Sequence, residues 1–151
     1  MRSFLLKDKQ PIVKYSLIPD ECYFEGEIPE GYNLGVAPSI PYIILDVDVR
    51  EDKNGFEHIP KDVMEELNDT FNYHTSRGGR HYWMNYTGNE KLMSRATKYG
   101  LDLRVPPNTY VKFPLKDVDI RDCIHLIKET GEVLNMWLKE MYGAYTKTTK
   151  K

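Results

Sequence analysis

The stretch YIILDVDVR, residues 42–50, decides how the chain is read. Aromatic and aliphatic residues run straight into Asp46 and Asp48, with Val47 between the two carboxylates. A short run of β-branched and apolar residues predicts a buried strand. Side chains alternate along a strand, so both aspartates leave the same face with Cα atoms about 7 Å apart, and Val47 points to the core. Carboxylates this close raise one another's pKa unless a cation lies between them, and a hard divalent ion serves best. Two solvated acids at a strand end are the other reading, because Asp is common where strands run into turns.

The 11–45 segment holds further short apolar runs, PIVKYSLI, YNLGVA and PYIIL, punctuated by Pro, Gly, Asp and Glu as strands and turns are. After the polar turn REDKNG, Pro60 stands at a first helical position, and Val63, Met64, Leu67 and Phe71 fall on one side of the predicted helix. FNYHTSRGGRHYWMNY, residues 71–86, reads as two alternating strands joined at SRGG, where glycines accept positive φ. NEKLMSRATKY, residues 89–99, reads as a helix opened by Asn89 and closed by Gly100. LDLRV and TYVKFPL then read as strands around a PPN turn. Two helices are predicted at about 117–129 and 132–145. Ile120, Ile124 and Ile127 line the first, and Val133, Met136, Trp137 and Met141 the second, before a fraying KTTKK end. This order implies an α+β fold with a largely antiparallel sheet.

Composition narrows the function classes. At 151 residues, with 40% hydrophobic and 29% charged residues, the chain has the makeup of one globular domain. No apolar run approaches a membrane span or a signal-peptide core, so a cytoplasmic protein without a membrane role is expected. Cys22 and Cys123 have no metal-ligand spacing and read as ordinary buried or half-buried thiols. The net charge of -2 supplies no general attraction to polyphosphate, so any nucleic-acid contact requires a local basic patch. The absence of a G-x-x-x-x-G-K-[ST] motif disfavours a P-loop enzyme.

Two more segments could carry chemistry. In HTSRGGRHYW, residues 74–83, Gly78 and Gly79 permit close backbone approach to an anion, and Arg77, Arg80 and His81 offer donors to phosphate oxygens. A basic hairpin turn is the plainer reading. In GLDLR, residues 100–104, Asp102 lies between two core-facing leucines and so shares the opposite face with other polar groups. Beside Asp46 and Asp48 it could complete the carboxylate set of a two-metal site. The D-x-D pair alone also fits a metal-dependent glycosyltransferase acting on a nucleotide sugar.

Taken in order, IILDVD, HTSRGGRHYW and GLDLRVPPNTYVKFP resemble the motifs of the archaeo-eukaryotic primase superfamily, in particular the bifunctional primase/polymerase domains of phages and plasmids. GYNLGVAPS ahead of them is similar to that family's entry segment. The resemblance covers about residues 11–115, with 116–145 a helical C-terminal part and 146–151 a tail. It implies an RRM-like primase-polymerase palm, a mostly antiparallel mixed sheet flanked by helices. It implies a DNA primase/polymerase nucleotidyltransferase active in replication, which uses nucleoside triphosphates on a single-stranded or primed DNA template. Asp46, Asp48 and Asp102 would hold Mg²⁺ or Mn²⁺ in a two-metal site. His81, Arg80, Gly79, Gly78, Ser76, Arg77 and Arg104 would bind the nucleotide. Arg77 ahead of the glycines, Ser39 where the family carries Gly, and VPPNTY before the Tyr-Val segment depart from the pattern. With no zinc motif or fused helicase in view, a separate helicase or replication protein is the expected partner. A catalytically weak nucleotide- or nucleic-acid-binding module on the same fold is the alternative.

Overall fold

The computed structural model describes residues 1–144. The 42–50 stretch forms strand β4 (Tyr42–Val47), in the middle of the larger of two main sheets. In chain order the elements are β1 (Arg2–Lys7), β2 (Gln10–Pro11), β3 (Tyr32–Ala37), β4, β5 (Val49–Arg50), β6 (Lys53–Asn54), α1 (Lys61–Asp69), β7 (Asn72–His74), β8 (Arg80–Asn85), β9 (Arg95–Ala96), β10 (Leu101–Arg104), β11 (Val111–Phe113), β12 (Lys128–Glu129) and α2 (Glu132–Tyr142). One sheet runs β11-β3-β1-β2 and the other β12-β8-β4-β10-β9, with β7 also on β8; β5 and β6 form a small ribbon. Every pairing is antiparallel except β12 on β8. Among the described residues the fold is α+β with mostly antiparallel sheets and two α-helices.

Alternation along the three central strands divides the apolar residues between two cores. Ile43, Leu45, Val47, Tyr82, Met84, Leu101 and Leu103 pack beneath α1 and α2. Ile44, Tyr73 and Trp83 face the other way and meet Val36, Val111 and Phe113 of the first sheet. The helices hold each other as well. The Glu66 carboxylate of α1 accepts from the Gly131 and Leu134 backbone N–H groups, at 3.0 and 3.3 Å, and so caps the start of α2.

Several sequence expectations are corrected. Residues 89–99 form no helix: only Leu92 and Gly100 lie buried across 89–100, too little apolar surface to repay helix nucleation, and Arg95–Ala96 pair with β10 instead. Residues 117–129 form two 3₁₀ turns and β12. Asp119 opens the first turn by accepting from the Arg121 N–H, the local competition by which Asp disfavours longer helix. α2 buries Leu134, Trp137, Leu138 and Tyr142, a stripe shifted by one residue from the predicted one, and leaves Val133 and Met136 exposed. Pro60 precedes α1 as its cap residue, and Phe71 lies beyond the helix in the second core. Cys22 is exposed and Cys123 buried, both as free thiols. KTTKK lies outside the described residues. Among the described residues no helix is long and apolar enough to cross a membrane.

Asp119 also grips the Arg121 guanidinium at 2.6 Å, and this hydrogen bond holds its carboxyl below the ordinary 3.8. A carboxyl depressed on folding contributes stability that is complete above its unfolded value and disappears as pH falls through the folded one. The melting temperature is therefore expected to fall as pH drops below 3.8. Asp119→Asn should flatten that part of the profile, and an unchanged slope would remove the pair from the acid response.

Candidate active site

The register of the central strands assembles the site. Asp46 of β4 stands directly opposite His81 of β8 on one side and Asp102 of β10 on the other. Tyr73 of β7 stands opposite His81. Directly opposed residues share a face, so Tyr73, His81, Asp46 and Asp102 form one row across four strands, on the side away from the helices. The Tyr73–His81 pairing lies within one hairpin, whereas Asp46 meets His81 and Asp102 from distant segments.

Charges meet closely along the row. His81 Nε2 lies 3.4 Å from Asp46 Oδ1, and Arg104 Nη2 lies 3.4 Å from Asp46 Oδ2 and 3.2 Å from Asp102 Oδ2. Burial pushes the Asp46 carboxyl up, but the hydrogen bond from His81, with the Arg104 guanidinium, outweighs it and leaves Asp46 below its ordinary value. At Asp102 burial prevails: it raises the pKa, Arg104 opposes it, and the Asp46 and Asp48 charges add to the rise. Environment thus separates two otherwise equivalent carboxyls, a pattern common at functional sites.

The row lines a cleft of about 640 Å³ whose walls include the β1–β2 turn, the β7–β8 turn and β11. Six basic side chains, Lys9, Arg50, Lys53, Arg77, Arg104 and Lys112, line it against the three acids Asp46, Asp48 and Asp102. Although the whole chain is acidic, this cleft has a basic excess and suits a polyanion that brings or meets a cation at the aspartates.

Ser76, Arg77, His81 and Arg104 line the cleft together with the three aspartates. Arg80 does not join them. Strand alternation turns it to the opposite face from His81, where its guanidinium meets Asn72 and His74. Tyr82, the residue after His81, also faces away from the cleft and is buried beneath the helices. Gly79 is required by packing, since a β-carbon there would collide with the Val47 carbonyl oxygen and lie 2.8 Å from Thr75 Oγ1. In the β7–β8 turn Arg77 as well as Gly78 adopts positive φ, at 74° and 85°, and for arginine this is a strained conformation. Lys9, Lys53 and Lys112 went unseen in the sequence because they come from separate segments. Only Lys112, between the buried Val111 and Phe113, carries a signal, the alternation of a half-buried strand.

Gly79→Ala is expected to cost about 1–3 kcal/mol, as overpacking against backbone does. It should also push the β7–β8 turn away from the end of β4, next to Asp48. Denaturant unfolding measures the first effect, and wild-type stability would refute the close approach.

Carboxylate oxygens are the donors that magnesium and manganese prefer, and Asp46 and Asp102 already converge on one guanidinium nitrogen, so their chemistry fits a divalent ion. Asp48 Oδ2 accepts instead from Arg50 Nε at 2.7 Å and would join them only after leaving that partner. Among the described residues no group of three or more His, Cys, Asp or Glu is arranged around a common ion position. No protein-family model, curated protein or solved structure matches the chain.

Proposed function

We propose that the chain is a metal-dependent nucleotidyltransferase of the DNA primase/polymerase type, built on an RRM-like palm and acting with nucleoside triphosphates on a DNA template. The observation that carries this reading is the row His81–Asp46–Asp102 in a basic-lined cleft, assembled from three separate motifs in register. A sheet with two helices on one face and an open cleft on the other supports the palm.

In this reading Asp46 and Asp102 hold Mg²⁺ or Mn²⁺, with Asp48 as the third ligand. The bound ion supplies charge neutralisation for attack by a 3′-hydroxyl on the α-phosphate and for departure of pyrophosphate. His81 donates a hydrogen bond to a phosphate oxygen. Arg104 exchanges its carboxylate partners for phosphate, and Arg77, Lys53 and Lys112 add positive charge around the polyphosphate. Ser76, beside Arg77, lines the same end of the cleft, whereas Gly78 and Gly79 shape the turn and do not line it. Phosphoryl transfer depends mainly on such positioning and charge, so the chain needs no covalent nucleophile.

One observation favours a second reading, a nucleotide-binding module that regulates replication without catalysing it. Arg104 already bridges Asp46 and Asp102, and Arg50 already holds Asp48, so the acids are paired without a metal. Binding of a labelled deoxynucleoside triphosphate with magnesium or manganese, followed by extension of a primed template, separates the two. Metal-dependent binding with extension is the result expected for the polymerase. Binding without extension would transfer the assignment to the module, and no binding would overturn both.

A further inference from the structure

We propose that Trp83 and Tyr73 fix the tautomer of His81, so that the cleft meets an Nε2–H donor and not an imidazole lone pair. Three buried side chains, with few protons to share among them, impose this choice. Trp83, fully buried, can only donate through its indole N–H, and it does so to Tyr73 Oη at 3.0 Å. Tyr73 is itself buried, and its hydroxyl has one proton to place. Burial pushes this phenol well above its ordinary range, so the proton stays on the oxygen. Besides Trp83, the hydroxyl's hydrogen-bond partner among the described residues is His81 Nδ1, at 3.0 Å.

Two arrangements are open to that contact. If Nδ1 carried the proton, Tyr73 Oη would accept twice and its own buried O–H would have no acceptor. If Tyr73 donates to Nδ1, every polar group in the chain of three is matched, and the imidazole proton must sit on Nε2. Nε2 is the nitrogen on the cleft side, 3.4 Å from Asp46 Oδ1. The neutral ring therefore presents a donor where an anionic oxygen would arrive. It does not offer that nitrogen as a metal ligand. Tyr73 is a positioning residue: it acts through His81 and lies behind it in the row.

That the donor serves a triphosphate rests on the function proposed above, whereas the tautomer does not. The test is two-bond ¹H–¹⁵N correlation of the intact protein labelled with ¹⁵N-histidine, in alkaline solution. His81→Gln identifies the His81 signals among the four histidines. The wild-type spectrum is expected to show protonated Nε2 and a lone pair at Nδ1. Because the Asp46 carboxylate also accepts from Nε2, the decisive variants are Asp46→Asn, expected to keep Nε2–H through Tyr73 alone, and Asp46→Asn with Tyr73→Phe, expected to give a mixture of the two tautomers. An Nδ1–H signal in the wild type or in Asp46→Asn, or a double variant that keeps Nε2–H alone, would overturn the proposal. Should the double variant fail to fold, the wild-type and Asp46→Asn spectra still decide it. A wild-type protein with the expected tautomer that binds no triphosphate would support the relay and overturn the functional reading.

Discussion

Asp46→Asn is expected to reduce metal-dependent triphosphate binding at least about a hundredfold and to abolish template extension, because removing an outer partner of a metal ligand already costs about 10–100-fold. Asp46 is the centre of the row, with His81 and Asp102 opposite it on either side. Asparagine keeps its shape and removes the charge that both neighbours and Arg104 share. The fold should survive, since Arg104 retains Asp102 and the strand pairing does not involve the side chain. A second effect tests the electrostatics directly. Asp46 helps to raise Asp102, so its neutralisation should move Asp102 back toward the ordinary value of 3.8. A carboxyl titration by NMR reads this shift. Undiminished binding, or an unmoved Asp102, would show that the two carboxylates do not act as one site.

The second large effect concerns Trp83→Ala, expected to cost about 3–5 kcal/mol in urea unfolding, as truncation of a buried aromatic residue does. Trp83 is fully buried at the heart of the core between the two sheets. Its removal leaves a void and deprives Tyr73 of a donor at the same time. Since Tyr73 contacts His81, a stability mutation here should reach the cleft even though Trp83 does not line it. A cost below about 1 kcal/mol would mean that the site collapses around the gap, contrary to the density normal for a protein core.

Much of this arrangement was legible from the sequence wherever period two prevailed. The DVDV run and the LDLR strand alternate, and alternation alone puts Asp46 and Asp102 on the face opposite their apolar neighbours. The same rule, applied strictly, would have turned Arg80 away from His81, because neighbours in a strand cannot share a face. Register was beyond reach. Nothing near Asp102 or Asp46 in the chain says that they stand opposite each other, or that Arg104 lies between them. The helices misled for a different reason. Residues 133–142 contain two overlapping stripes of apolar residues, and only the packing partner, the underside of β4 and β10, selects the one with Leu134 and Leu138. At 89–99 and 117–129, pairing with β10 and β8 overrode a local preference that was weak to begin with.

The outer edge of β8 is shared by two short strands, β7 along residues 80–82 and β12 along 84–85. Thr70 closes the gap between them: its hydroxyl donates to the Trp83 carbonyl at 2.6 Å and accepts from the Lys128 N–H at 2.8 Å. An exposed strand edge of this length, rich in Tyr, Trp and Met, would be a template for pairing with other chains and for aggregation. Covering it piecewise guards the His81 strand against such self-association, and it makes that protection depend on segments on either side of the strand, drawn from opposite halves of the chain.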